Sequence, residues 1–260
     1  MKHVVMFSGG IGSWATAKRV IEQVGRQNMI LLFADSRMED EDLYRFLDEA
    51  VQEIGAQLIR LADGRTPWQV FHDSRYIGNS RIDPCSRILK RNLCFRWLKQ
   101  NMNPEETIVY LGLDWTEMHR YERALSYWHP WKIRAPMCEE PYVSKLEQLD
   151  ALKQTGIRVP RLYEMGFPHN NCGGFCVKAG LAHFRLLYQT MPDRYLFHEQ
   201  QEEQLRRVLN KNVAILRRKK EGKTIPLTLR QWRIEMQQTG SRPLTPDEEE
   251  WGGCGCFTDF

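Results

Sequence analysis

No apolar run in these 260 residues approaches the roughly 20 needed to cross a bilayer, and the first residues lack the charged-then-apolar layout of a secretion signal. There is no Gly-Lys-Ser/Thr at Walker spacing and no Gly-x-Gly-x-x-Gly, which excludes the two most familiar sequence-encoded phosphate loops. No segment repeats, so a solenoid or propeller is excluded. Charge of one sign is not in large excess: 37 Lys and Arg against 33 Asp and Glu leave a net +4. That surplus is compatible with nucleotide or nucleic-acid ligands without demanding them. The chain is therefore expected to be cytoplasmic, with no membrane partner. In a reducing compartment, seven cysteines argue against a disulfide framework, and close cysteine pairs favour metal or redox chemistry.

The length suits one large domain or a domain with an appendage. Residues 1–60 alternate between strand and helix patterns. Val4–Phe7 is predicted as a strand, Ser13–Arg26 as a helix, Met29–Ala34 as a strand and Glu41–Ile54 as a helix. Leu43, Phe46, Leu47 and Val51 recur on that second helix at helical spacing, and Gln57–Leu61 follows as a third strand. Such alternation implies an α/β fold, a doubly wound parallel sheet covered on both faces. Residues 85–100 read as a helix, and Thr107–Leu113 reads as a strand ending on Asp114, Glu117, His119 and Arg120. After Pro136 the rhythm stops, giving an expected nucleotide-binding domain over 1–136 and a helical, cysteine-containing C-terminal region over 137–260. The only charge run, Arg217 to Lys223, is expected to be a solvated turn or helix end, with a nucleic-acid backbone as its functional alternative. Tyr127, Trp128 and Trp131 near Arg134 are expected to pack in a core rather than stack a base.

The apolar run His3–Phe7 leads directly into Ser8-Gly9-Gly10-Ile11-Gly12-Ser13 and the helix-forming Trp14–Lys18. A strand, a glycine turn and a helix start build an anion cradle, because glycines admit a close ligand and the helix's first N–H groups point at it. This hexapeptide resembles the SGGxxS loop of the PP-loop ATP pyrophosphatase and phosphoadenosine phosphosulfate (PAPS) reductase-like superfamily, the adenine nucleotide alpha hydrolase-like fold. The resemblance implies that Ser8, Gly9, Gly10, Ile11, Gly12 and Ser13 bind the phosphates of ATP or a related adenine nucleotide, with Mg²⁺. It implies that Asp35, at a strand end, meets the ribose or adenine side. The acidic run Glu39–Asp42 is expected to be a solvated helix start suited to the macrodipole. Cys85-Ser86-Arg87-Ile88-Leu89-Lys90-Arg91 resembles a reductase segment in which Lys90 and Arg91 offer charge to phosphate or sulfate oxygens. Gly112 to Arg120 is similar to the superfamily's Gly-x-x-x-x-Glu-x-x-Arg segment, implying catalytic roles for Glu117 and Arg120, whose spacing also suits a local ion pair.

Pro160-Arg161-Leu162-Tyr163-Glu164-Met165-Gly166-Phe167 resembles a lead-in that precedes a metal-binding cysteine pair, here Cys172 and Cys176. Cys254 and Cys256, also glycine-lined, complete a candidate four-thiolate site for [4Fe–4S] or Zn²⁺. Cys85 is a rival ligand, His169 a candidate substitute, and Cys94 and Cys138 are expected in cores.

Two departures narrow the chemistry. The pyrophosphatase loop reads SGGxDS, with an acid where this chain has Gly12. The reductase tail carries Glu-Cys-Gly-x-His, whereas this chain keeps Cys-Gly without the flanking Glu and His. The leading expectation is a nucleotide-dependent transferase that adenylates an acceptor, releases pyrophosphate and transfers sulfur or nitrogen to tRNA or DNA. The alternatives are a thiol-dependent reductase of adenylyl or phosphoadenylyl sulfate, and a non-catalytic nucleotide-binding regulator with a structural metal. The acceptor, the metal and any homo-oligomer are left open by the sequence.

Overall fold

Alternation along the first strand divides its apolar residues between two faces, as a strand buried on both sides requires. The computed structural model describes residues 1–220, 222–240, 243–245, 248–249 and 251–252. Its first half runs β1 (Lys2–Met6), α1 (Ile11–Val24), β2 (Met29–Asp35), α2 (Glu41–Ile54) and β3 (Gln57–Ala62). Next come α3 (Pro67–Ser74) and a rod made of α4 (Pro84–Ser86), a π-helical segment (Arg87–Arg91) and α5 (Asn92–Asn101). β4 (Thr107–Tyr110), α6 (Met118–Tyr127) and β5 (Lys132–Arg134) follow. The rest comprises α7 (Lys145–Gln154), α8 (Arg161–Glu164), α9 (Leu181–Thr190), α10 (Pro192–Leu209), β6 (Leu216–Lys220), β7 (Lys223–Leu227) and α11 (Leu229–Thr239).

β1 to β5 form one parallel sheet in the order β3-β2-β1-β4-β5. Val5, Phe7, Leu31 and Phe33 pack with α1 and α2 on one face. Val4, Met6, Leu32 and Ala34 pack with Cys94, Leu98, Trp128 and Trp131 on the other. The fold is thus α/β and doubly wound, and both tryptophans near Arg134 lie in a core, whereas Tyr127, expected with them, is exposed. Leu152, Ile157 and Val159, from beyond Pro136, complete the first face's cluster. A third cluster joins α3 to α9, α10, α11 and the hairpin residues Leu216 and Leu227. No helix among the described residues is long and apolar enough to cross a membrane.

Three expectations are corrected. The run after Pro136 is not only helical: Leu216–Lys220 pairs antiparallel with Lys223–Leu227. Buried Leu216 and Leu227 anchor that pair, so the basic run is a hairpin rather than a solvated turn or helix end. β4 ends at Tyr110, three residues before its expected end. Finally, the acidic run 39–42 is not a solvated face, since Glu39, Asp40 and Asp42 are all buried.

The acids are buried because the later chain supplies their counter-charges. Asp40, wholly inaccessible, accepts two hydrogen bonds from Arg161, at 2.7 and 2.9 Å, and one from Arg194 at 2.8 Å. It also caps α2 by accepting from the Asp42 N–H. Asp42 accepts from Arg45, from Arg158 and from the Arg161 N–H. Burial pushes the Asp40 carboxyl up, but Arg161 and Arg194 outweigh it and hold the group below its usual range.

The Arg45 hydrogen bond is the main force lowering Asp42, which burial opposes, from 3.8 to about 2. A depressed carboxyl stabilises the fold above its unfolded pKa and loses that contribution as pH falls through the folded one. Stability is therefore expected to fall between pH 3.8 and about 2, with a shallower loss in Asp42→Asn, measured by urea unfolding across that range. Asp40→Asn leaves two guanidiniums on a neutral amide and is expected to cost about 2–4 kcal/mol at neutral pH, discounted for the arginines' partial exposure.

Candidate active site

Strand order reverses between β1 and β4, and the crevice beyond their carboxyl ends is where ligands of such sheets bind. A cavity of about 320 Å³ lies there. One wall is Ser8, Gly10, Ile11, Gly12 and Ser13 from the loop after β1, and a second is Leu111–Asp114, Glu117 and Arg120 from the segment after β4. The C-terminal region closes it with Lys145, Gln148, Tyr163, His169, Asn170 and Asn171.

α1 starts at Gly10 with no side-chain cap and no acid in its first turn, so its positive end faces the cavity. The Ile11 N–H donates instead to the Tyr163 hydroxyl at 2.9 Å. Ser13 donates its hydroxyl to the Gly10 carbonyl at 2.7 Å, and Asn170 donates its amide to the Gly9 carbonyl at 2.8 Å. Gly9 has φ +78°, which a side chain would strain, and its missing Cβ would stand 2.9 Å from Leu43. The buried carboxamide oxygen of Asn170 accepts no hydrogen bond among the described residues.

Gly12 explains itself by its neighbour. A Cβ there would lie 2.9 Å from the Gly112 carbonyl oxygen, and one on Gly112 would lie 2.8 Å from the Ser13 nitrogen and Cα. The two loops touch backbone to backbone, so this cavity has no room for an acid at position 12. The carboxylates on its wall are Asp114 and Glu117 instead. Asp114 accepts from the Thr116 N–H at 2.9 Å, and Glu117 pairs with Arg120. The pair is local, and it lines the cavity. Lys145 donates to the Pro168 carbonyl and has its pKa lowered by burial, an effect that Glu117 and Asp114 oppose. Burial, then Lys145 and Arg120, push His169 down to about 3, so its imidazole is neutral at physiological pH.

The other expected residues stand elsewhere. Asp35 ends β2 and accepts from the Arg37 N–H at 2.7 Å and the Tyr44 hydroxyl at 2.9 Å, outside the cavity lining. Lys90 and Arg91 are buried in the π-helical segment and do not line it. Lys90 donates to Glu39 at 3.0 Å and lies 3.7 Å from the Cys172 sulfur, while Arg91 approaches Asp83 at 3.5 Å. Glu39 also accepts from the Ser36 hydroxyl and the Cys172 N–H, which ties the cysteine loop to the sheet. That loop turns through positive φ at Cys172, Gly173 and Gly174.

Cys172, Cys176 and Cys85 line one small cavity of about 20 Å³ beside Lys90. Among the described residues no three His, Cys, Asp or Glu side chains converge to hold a metal ion. Cys254 and Cys256 lie outside the described residues. The chain leading to them pairs with the cysteine loop's far end, through an Ala179–Gly252 bridge and a Gly180 N–H donated to the Trp251 carbonyl at 3.0 Å. Cys94 and Cys138 are buried, and burial pushes both thiols up to about 12.

Sequence reasoning missed Lys145, Gln148 and Asn170 as cavity residues. Lys145 carried one signal, as the first residue after a Ser144/Glu147 capping box. Asn170 and Gln148 carried none, since their place depends on how the later chain folds back.

No family model matches the chain, and no curated protein matches it. Among solved structures it is similar to an NH3-dependent NAD synthetase from Campylobacter jejuni subsp. jejuni NCTC 11168, in complex with the nitrate ion. That likeness has a TM-score of 0.41 and 12% identity, over 81% of this chain and 84% of that one, too slight to bear on chemistry.

Gly112→Ala forces a methyl group into Ser13, and overpacking of this kind costs about 1–3 kcal/mol. The variant is expected to melt lower than the parent and than Ser8→Ala, which adds no atom to the contact.

Proposed function

We propose that the crevice binds ATP with its phosphates on Ser8–Ser13 and its adenosine toward Asp35, and that the protein adenylates an acceptor. The observation carrying this reading is the start of α1, where Gly10 offers no side-chain cap, opening into a switch-point crevice that also holds Lys145 and Arg120. Aligned helix amides and fixed cations favour a polyphosphate, and they cost no rearrangement when charge develops on it. An acceptor oxygen attacks the α-phosphorus, the bond to the bridging oxygen breaks, and pyrophosphate leaves with those electrons. Lys145 and Arg120 hold the departing charge, and the acceptor's proton passes to solvent, because a His169 imidazole held at a pKa of about 3 is too weak a base to keep it. Asp114 and Glu117 are the carboxylates that fit a Mg²⁺ carried by the nucleotide. That ion would supply Lewis-acid stabilisation of the phosphate oxygens.

The reading extends to a nucleic-acid acceptor and to sulfur or nitrogen transfer, supported by the cysteine loop beside the crevice. Cys172 and Cys176 would be joined by Cys254 and Cys256 around [4Fe–4S] or Zn²⁺, with Cys85 as the alternative fourth sulfur. Soft thiolates suit either group, though the described residues alone supply too few converging donors. Lys90 fits a positioning role, holding Glu39 and the Cys172 loop, better than direct contact with phosphate.

Labelled ATP incubated with the protein and bulk tRNA or DNA is expected to yield AMP and pyrophosphate in step with acceptor. Lys145→Ala is expected to lower that rate about tenfold to a hundredfold. Release of ADP and phosphate, or no ATP binding by calorimetry, would contradict adenylation. Thiol-dependent sulfite release from adenylyl sulfate would establish the reductase alternative instead.

A further inference from the structure

The basic hairpin is far from idle surface. Alternation along β6 puts Arg217 and Lys219 on one face with Thr224 and Pro226 of β7, while Arg218 turns the other way to pair with Glu235. The charged face borders two adjoining cavities, of about 530 and 280 Å³, that share Arg217 and Thr224. Arg81 and Lys178 also line the larger cavity, and Arg75 and Lys211 the smaller. Among the described residues the one acid on either cavity is Glu248, already paired with Arg218. Arg75, Arg81, Lys211, Arg217 and Lys219 form no ion pair among the described residues.

Like charges gathered in a concave surface repel one another, and they persist where an anion is to be seated. The hairpin is also held rigidly. Buried Glu202 of α10 accepts from the Ile215 N–H at 2.9 Å and the Leu229 N–H at 2.7 Å, the residues bounding the hairpin. We infer that this groove binds the sugar–phosphate backbone of a nucleic-acid strand. A recessed groove admits a strand and its successive phosphates but not a planar bilayer. Two chambers joined at one arginine suit a repeating anion rather than a single one.

The groove also leads to the chemistry. Lys178 lines both the groove and the cysteine cavity. Ala179 lines the groove and a small void of about 10 Å³, which shares His169 and Asn171 with the nucleotide crevice. The groove therefore adjoins the wall that carries Cys176 and, beyond it, the crevice. As the surface that would present an acceptor, the groove rests on the adenylation reading, but binding to it does not.

The test is fluorescence anisotropy with 20-nucleotide single-stranded DNA and RNA of one sequence, without ATP, over a salt series. Six contacts at roughly 0.7 each predict a log–log salt slope near −4. Arg217→Glu/Lys219→Glu is expected to weaken binding at least about tenfold and flatten the slope by about 1.4. Arg81→Glu, in the groove but outside the hairpin, is expected to act in the same direction, which guards against misfolding of the hairpin. Lys2→Glu/Lys153→Glu, the same charge change outside the groove, is expected to leave both nearly unchanged. Preference for one strand type would identify the source, and equal affinity would assign the groove to the shared backbone. No binding of either strand at low salt, or equal weakening by both double variants, would overturn the proposal. Loss of ATP binding with oligonucleotide binding intact would sink adenylation alone, and the reverse would sink the groove alone.

Discussion

Everything at the crevice depends on one buried carboxylate. Asp40 has no access to solvent and grips Arg161 and Arg194, which come from chain more than 120 residues later. Arg161 opens α8, which carries Tyr163 to the start of α1, and Arg194 also donates to the Gly173 carbonyl in the cysteine loop. The same grip therefore sets one wall of the crevice and the position of Cys172. Glu39, beside it, extends the hold through Lys90 and the Cys172 N–H. Breaking such an arrangement leaves charge stranded away from water, so the two halves of the chain stay together.

The second constraint is steric. Gly12 and Gly112 let two loops meet backbone to backbone at the floor of the crevice. Close approach brings the strand ends after β1 and β4 together, and the cavity's carboxylates, Asp114 and Glu117, come from the second loop. Asp114 and Glu117 stand where a carboxylate on Gly12 could not fit.

Much of this was legible in the sequence. β2 was readable as a short continuous apolar run and α2 by its helical period, and Gly55 takes the left-handed conformation that ends α2. Ser8–Ser13 announced itself through glycines directly after an apolar run. What escaped notice lacked local signal. Glu39–Asp42 looks like a solvated helix start until Arg158, Arg161 and Arg194 return to it. Leu216 and Leu227 are the only buried side chains described in the two strands, so the cations of the hairpin masked its pairing. Asn170 and Gln148 became cavity residues only through the fold of the later chain. Long-range pairing, rather than propensity, decided each of these.

The most direct measurement is a crystal structure with a non-hydrolysable ATP analogue. The account predicts a triphosphate over Ser8–Ser13, with a phosphate oxygen taking the Ile11 N–H that Tyr163 now accepts, and Lys145 and Arg120 turned toward it. A nucleotide seated elsewhere, or a crevice empty at saturating analogue with the Ile11–Tyr163 contact unchanged, would contradict it.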